Sequence, residues 1–418
     1  MKIKRIEMHS FRGIGDMTLE FQEEEPNVVI GINGVGKSSI LECIAILLSR
    51  YTKPVQFPTT SGRLFQEEDI FTGSEETRNE ITVSTSKGEV TWCLSKMRKK
   101  RSKATGSDLS DLRKLIDETH EQLKTNPKFN LPVIVHYGVN RAVTDIPLRV
   151  RKKQSIDRVS AYEQALDRVE INFNSFFQWF RKLEDLENEQ RLDDSSFLND
   201  QLEAVRQAIY SLITGLTNLR IRRSPLRMTV KKQGKELNVH QLSDGEKCLL
   251  ALVGDLARRL AIANPGLEDP LFGEGIILID EIELHLHPRW QRDIIPALKR
   301  TFPNCQFIVS THSPQVISHV HPEGVFILER DEEEGLIIMS PEGSYGRDTN
   351  SILEDLMEVP ERPQKIKDRL QELFRFIDDG NLQGAKELRE ELASEIGDDE
   401  PEFVRADVLI RRKEILNK

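Results

Sequence analysis

Apolar and polar positions alternate at the start of this chain. Ile3, Ile6 and Met8, then Met17, Leu19 and Phe21, flank Phe11-Arg12-Gly13 and predict two strands around a turn in residues 1–21. Val28-Val29-Ile30 is a continuous apolar run, hence a buried strand, and an apolar helix pattern follows over 40–48. Residues 51–94 carry short strand signals, Ile81-Thr82-Val83 and Val90-Thr91-Trp92, broken by Pro, Gly and polar residues; they predict a small antiparallel lobe. Residues 96–130 are basic and then helical, and residues 131–137 (LPVIVHY) read as another buried strand closed by Gly138.

The second half changes period. Leu166, Val169, Phe173, Phe176, Phe180 and Leu183 are spaced 3, 4, 3, 4, 3, which predicts one helical stripe, broken at Glu187, with acidic residues 184–189 as its solvated end. It is too short for a long coiled coil. A helix over 202–213 and strands around 226–230 and 237–239 lead to a helix over 248–260 and buried strands at 275–279 and 306–309. Residues 325–328 and 336–339 read as a closing hairpin. Two apolar stripes then end at Gly380 and Gly397, and a third helix begins near Pro401.

Chemistry collects where these strands end. Between the strand at 28–30 and the helix at 40–48 lies Gly31-Ile32-Asn33-Gly34-Val35-Gly36-Lys37-Ser38-Ser39, the full G-x-x-x-x-G-K-S pattern. Gly31, Gly34 and Gly36 let backbone N–H groups, Asn33 and Ser39 surround phosphate oxygens at a helix N-terminus; Lys37 is expected to reach the β- and γ-phosphates and Ser38 to hold Mg²⁺. Gly275-Ile276-Ile277-Leu278-Ile279-Asp280-Glu281 is an apolar strand ending in two carboxylates, with Asp280 the expected Mg²⁺ holder and Glu281 the expected base for the attacking water. His312, at the end of the 306–309 strand, is placed to hydrogen-bond a γ-phosphate, and Asn140 and Arg141 to approach the nucleotide or its γ-phosphate sensor loop. Leu242-Ser243-Asp244-Gly245-Glu246 starts a helix with a capping box, Ser243 to Glu246, and offers an exposed N-terminus to a γ-phosphate held by another subunit. His285 and His287 lack a third ligand at metal spacing.

Composition narrows the class. At 418 residues the chain predicts one large α/β head with insertions and a small satellite domain. With 38% hydrophobic and 31% charged residues there is no apolar run long enough for a membrane span, and residues 1–10 read as a strand, so a cytoplasmic protein without a membrane role is expected. Cys43, Cys93, Cys248 and Cys305 show no metal-ligand spacing and read as reduced core residues. A net charge of −10 argues against a surface coated for nucleic acid, although the clusters at 96–103, 149–153 and 220–227 offer local basic tracks.

As a set, the P-loop, the LSDGE signature, Asp280-Glu281 and Thr311-His312 resemble the ABC-type ATPase heads of the SMC, RecF and OLD group. The resemblance implies an α/β fold: an ABC-type P-loop head, with a mixed sheet and flanking helices, an antiparallel β lobe and a helical insertion, plus a small C-terminal helical domain. The corresponding boundaries are 1–95 for the lobe with the P-loop, 96–225 for the insertion, 226–345 for the second lobe and 346–418 for the helical domain. It also implies ATP and Mg²⁺ as ligands, Arg12 as a further nucleotide contact, and a head-to-head dimer in which Ser243, Gly245 and Glu246 of one copy complete the other's site. The signature reads SDGE, unlike the SGGQ usual in transporters, and only Gln66 and Asn140 are candidates for a Q-loop residue. Gln178-Trp179-Phe180-Arg181, the DEIELHLHPRWQ run from Asp280 and the tail helices resemble the PtuA subunits of Septu antiphage systems and their retron-linked relatives. That likeness implies regulation of a separate HNH-type nuclease, PtuB, and adds DNA and a retron reverse transcriptase with its RNA/DNA as candidate partners. Two readings stay open beside it: a stand-alone DNA-repair ATPase that clamps DNA, and a scaffold that binds ATP without turnover.

Overall fold

The computed structural model describes residues 1–98, 106–139, 141, 157–167, 171–331 and 335–416. In chain order these form β1 (Lys2–His9), β2 (Met17–Glu20), β3 (Asn27–Gly31), α1 (Lys37–Gln56), β4 (Glu76–Thr85), β5 (Gly88–Met97), α2 (Ser110–Thr125) and β6 (Val133–Tyr137). Then come α3 (Phe173–Gln190), α4 (Asp200–Leu212), β7 (Leu216–Arg223), β8 (Leu226–Lys232), β9 (Lys235–Asn238), α5 (Asp244–Ala263), β10 (Gly275–Ile279), α6 (Pro288–Thr301), β11 (Cys305–Ser310), α7 (Pro314–Ile317), β12 (Val325–Asp331) and β13 (Gly335–Met339). The chain divides into two units, residues 1–349 and 350–418.

The first unit carries three sheets. An antiparallel sheet in the order β2-β1-β4-β5 forms the predicted lobe, and Trp92 of β5 donates its indole N–H to Leu47 O of α1 at 3.0 Å. A six-stranded mixed sheet runs β13-β12-β3-β11-β10-β6, with the five strands from β12 to β6 parallel and β13 antiparallel at its edge. Its strands β6, β10 and β11 are buried at every position, which is why their sequences read as unbroken apolar runs rather than alternation. The third sheet is the antiparallel β7-β8-β9, of which β7 carries no clean apolar signal.

The insertion departs from the stripe read in the sequence. Asn172 caps α3 by accepting the Ser175 N–H at 3.1 Å, so the helix begins at Phe173; Leu166 is buried before it and Val169 lies outside the described residues. Its acidic end is solvated only in part, with Asp185 and Glu189 exposed. Glu187 is fully buried and takes both oxygens to Arg206 at 3.1 Å, while Glu184 is buried against the Ile221 N–H and Arg223. Opposite charge therefore lets α3 continue past Glu187 to Gln190. The same pairing absorbs much of the 220–227 cluster, because Arg222 bonds Glu236 and Arg223 bonds Asp185. Residues 149–153 lie outside the described residues.

A buried ionic cluster pins α5 to β6. Asp255 bonds Arg258 and Arg259 at 2.6 Å each and accepts the Tyr137 hydroxyl at 3.0 Å; Arg259 also bonds Ala161 O at 2.6 Å. Burial by itself would raise the Asp255 pKa, but Arg259 and Arg258 overcome it and hold the carboxyl well below the usual range. A folded-state pKa depressed in this way contributes stability that is complete above the unfolded-state value of about 3.9 and is lost as the pH falls through the folded value. Asp255→Asn is expected to cost about 3–5 kcal/mol in urea unfolding near neutral pH, since it strands two buried guanidiniums, and to flatten the acid limb of the stability curve. An unchanged urea midpoint would remove the cluster from the head's stability.

The second unit contains α8 (Thr349–Asp355) past its first residue, α9 (Gln364–Asp378), α10 (Leu382–Ile396) and α11 (Pro401–Leu416). Leu370, Leu373 and Ile377 of α9, Ala385 and Leu392 of α10, and Phe403 and Ala406 of α11 share one core, so the two stripes and the helix from Pro401 become a three-helix bundle. Among the described residues no helix is long and apolar enough to cross a membrane.

Candidate nucleotide-binding and hydrolysis site

Four adjacent parallel strands, β3, β11, β10 and β6, end on one edge of the mixed sheet. The loops leaving them carry the predicted chemistry, as expected for an open α/β sheet whose ligands lie beyond the strand carboxyl ends. After β3 the chain turns through Gly31 at φ 145°, where a Cβ would lie 2.5 Å from Leu328 O, so no other residue fits without moving β12. Asn33, Gly34 and Ser38 are exposed, and Ser39 is half-buried. Lys37 is 6% exposed, and its ammonium donates to Gly31 O at 2.8 Å and Ile32 O at 3.0 Å, spanning the loop that it would close around phosphate. Burial lowers its pKa, and Asp280, Glu281 and Glu283 push it back up. The N-cap of α1, Gly36, offers no side chain to the first-turn N–H groups, and no acid stands in that turn, which leaves the helix end suited to an anion.

Asp280 and Glu281 follow β10 directly. Ser310, the last residue of β11, joins them: its hydroxyl donates to Asp280 Oδ1 and accepts the Glu281 N–H, the latter at 2.8 Å. Glu281 has φ 48°, a conformation that turns its half-buried side chain away from the strand direction of Asp280. Arg141, 4% exposed, donates to Asp280 O at 2.6 Å and to Glu281 O at 2.5 Å. The expectation that Arg141 approaches the nucleotide is therefore corrected: its guanidinium is spent on the backbone of the carboxylate pair. Glu283 organises the next loop, accepting from the Thr311 hydroxyl at 2.7 Å and the His312 N–H at 2.5 Å. Burial lowers the His312 pKa and Lys37 lowers it further, against Glu283, Glu281 and Asp280, which favours the neutral imidazole. Lys37, Asp280, Glu281 and His312 are thus brought together from three loops.

The signature lies at the head of α5. Ser243 and Asp244 are exposed, and Ser243 both caps the Glu246 N–H and bonds the Glu246 carboxylate, the capping box read in the sequence. Glu246 is 3% exposed, with its other oxygen 2.6 Å from Lys232, so its carboxylate serves this loop and β8 and is not presented outward. A Cβ on Gly245 would lie 2.6 Å from His285 O, which explains the glycine by close packing. Arg12 has φ 49° and bonds Asp69 at 2.8 Å through both Nε and Nη2, with Glu42 at 3.9 Å. Gln66 bonds Leu64 O and caps the turn ending at Asp69. Asn140 lies outside the described residues. His287 caps α6 by accepting the Arg289 N–H at 3.2 Å, and the described residues hold no group of His, Cys, Asp and Glu arranged for a metal.

Sequence reasoning passed over Ser310 and Glu283. Their signal was positional: Ser310 immediately precedes Thr311-His312, and Glu283 stands two residues beyond Glu281.

The retron Vc95 probable ATPase of Vibrio cholerae serotype O1 biovar El Tor is 29% identical over 93% of this chain and 85% of its own length. The retron Ec83 probable ATPase of Escherichia coli is 28% identical over 99% and 87%. The Septu protein PtuA of Bacillus thuringiensis is 24% identical over 91% and 90%. The crystal structure of an Smc head bound to the C-terminal winged-helix domain of ScpA superposes with a TM-score of 0.50 at 16% identity, covering 82% of this chain and 98% of that one, and so shares the ABC-type head fold. The AAA_21 family, described as AAA domain, putative AbiEii toxin, Type IV TA system, matches residues 27–318, a span that begins with β3 and closes just beyond His312. Since that span holds every loop of the site except the one carrying Arg12, the chain belongs to the AAA_21 family of AAA-domain proteins.

Proposed function

We propose that this chain hydrolyses ATP with Mg²⁺ in a site completed by a second copy of itself, and that it regulates a partner HNH nuclease of the PtuB kind in antiphage defence. One observation carries the catalytic part: a lysine, two adjacent carboxylates and a histidine converge from three loops at the carboxyl edge of one sheet. Each fits its role. The glycine turn at Gly31 and the uncapped start of α1 receive phosphate oxygens, Lys37 exchanges its two carbonyl partners for β- and γ-phosphate oxygens, and the hydroxyl of Ser38 with Asp280 would hold the cation. Mg²⁺, when bound, neutralises charge between the two phosphates. Glu281 takes the proton of the attacking water as its oxygen bonds the γ-phosphorus and the bond to the β–γ bridging oxygen breaks, leaving ADP and phosphate. His312 hydrogen-bonds the γ-phosphate as charge builds on it.

Ser243 and Asp244, exposed at the head of α5 and without a phosphate loop of their own, support completion of the site by a second copy. The defence role rests on the retron and Septu relatives, whose similarity runs over nine-tenths or more of this chain. The test is phage plating on cells carrying this gene with its genomic neighbour, as wild type, as Lys37→Ala and with the neighbour deleted. Protection that requires both Lys37 and the neighbour is expected. Protection by this gene alone would overturn the nuclease-regulator reading.

A further inference from the structure

The peptide that carries the two carboxylates is held from both neighbouring strands, and the hold from β6 is of an uncommon kind. On the β11 side, the Ser310 hydroxyl accepts the Glu281 N–H at 2.8 Å, and the Ser310 carbonyl accepts the Ile282 N–H at 3.0 Å. On the β6 side, the Asp280 N–H continues the ladder to Tyr137 O at 2.8 Å. Beyond the end of β6, Arg141 reaches back with Nη1 to Asp280 O at 2.6 Å and with Nη2 to Glu281 O at 2.5 Å. Arg141 is buried, and among the described residues no carboxylate is ion-paired with it. Other buried arginines of the head hold carboxylates, Arg206 that of Glu187 and Arg259 that of Asp255. A buried cation spent on two backbone oxygens costs stability that an ion pair would return.

The backbone at Glu281 accounts for the fork. Peptide dipoles alternate along an extended strand, so consecutive carbonyls point to opposite sides and one guanidinium cannot take both. They align where a residue has helical dihedrals. Glu281, at φ 48°, lies in the left-handed region, which residues with a Cβ seldom occupy. The carbonyls of Asp280 and Glu281 therefore turn to one side, where the two parallel donors of a planar guanidinium match them. The Glu281 carbonyl also accepts the Leu284 N–H at 3.0 Å, which closes the turn that follows. Returning Glu281 to an extended conformation would cost Arg141 one of its two bonds, so the fork selects the left-handed form.

We propose that Arg141 is a positioning residue for hydrolysis: its fork locks the Glu281 backbone in the left-handed conformation and so keeps the Glu281 carboxylate aimed at the attacking water. This role rests on the ATP-hydrolysis reading above, and it makes the segment leaving β6 a control on the base rather than a nucleotide contact. The effect of Arg141 on turnover passes entirely through Glu281.

The test is a double-mutant cycle on the full chain: wild type, Arg141→Lys, Glu281→Gln and the two combined, each followed by phosphate release, binding of a fluorescent ATP analogue and thermal melting. Arg141→Lys keeps the charge but serves one carbonyl at a time. It is expected to lower kcat about 10–100-fold while KM and analogue affinity stay within about twofold of wild type. In the Glu281→Gln background the same change is expected to cost less than about twofold, because no base remains to be aimed. Arg141→Gln, which offers a neutral amide to the same carbonyls, is expected to show the same pattern. Unchanged kcat in Arg141→Lys, or an equal loss in both backgrounds, would overturn the proposal and leave the hydrolysis reading standing. Wild type without turnover would overturn both. Loss of analogue binding together with a collapse in Tm in both Arg141 variants would make the guanidinium a support of the fold and would likewise overturn the proposal.

Discussion

Glu281→Gln is expected to lower steady-state ATP hydrolysis by about 10²–10⁴ while ATP binding persists. The amide keeps the size and hydrogen-bonding reach of the carboxylate and cannot accept the proton of the attacking water. The surrounding structure gives this substitution little else to disturb. Glu281 is held through its backbone, its N–H by Ser310 and its carbonyl by Arg141, and neither bond involves the side chain that changes. Phosphate release and binding of a fluorescent ATP analogue, measured on the same preparation, separate the two effects. Hydrolysis at the wild-type rate would remove Glu281 from the role of base. Loss of binding together with hydrolysis would place the carboxylate among the nucleotide-holding groups instead.

Mixing two inactive variants is expected to restore activity. Lys37→Ala removes the ammonium that spans the phosphate loop, and Ser243→Arg places a long cation at the exposed head of α5. If each site joins the loop of one copy to the signature of the other, each variant alone lacks a complete site. In a mixed pair, one site combines both lesions and the other is intact. Random pairing then returns about one quarter of wild-type turnover. Affinity tags of two kinds show whether mixed pairs form. No recovery with mixed pairs present would count against a shared site and favour a head that works, if at all, within one chain.

Much of the arrangement was legible beforehand, because its signals are local. Buried parallel strands have to be apolar throughout, so Val28-Val29-Ile30 and residues 275–279 announced themselves; a glycine loop leading to Lys37 has few other uses; and Ser243 with Glu246 is a cap that depends on three residues' spacing. Two of the tail helices were equally plain, each with its stripe and its glycine stop, and the third was marked by Pro401 at its start. Where reading failed, the deciding partner was distant in sequence. Glu184 and Glu187 looked solvated until Arg206 and Arg223 arrived from α4 and β7, and Arg141 looked available until it met the carbonyls of residues 280 and 281.

By itself, then, the sequence determined the P-loop head and most of its buried strands, and it singled out Lys37, Asp280, Glu281 and His312 as candidates, since spacing along one segment specifies strand, loop and cap. Only the tertiary structure decided that Ser310 joins the two carboxylates, that Glu283 holds the His312 loop, and that Glu246 turns inward to Lys232. The physical reason is the same in each case. A charge buried in a protein is stable or strained according to which opposite charge the fold brings within reach, and that partner is chosen by packing between elements, which no local pattern encodes.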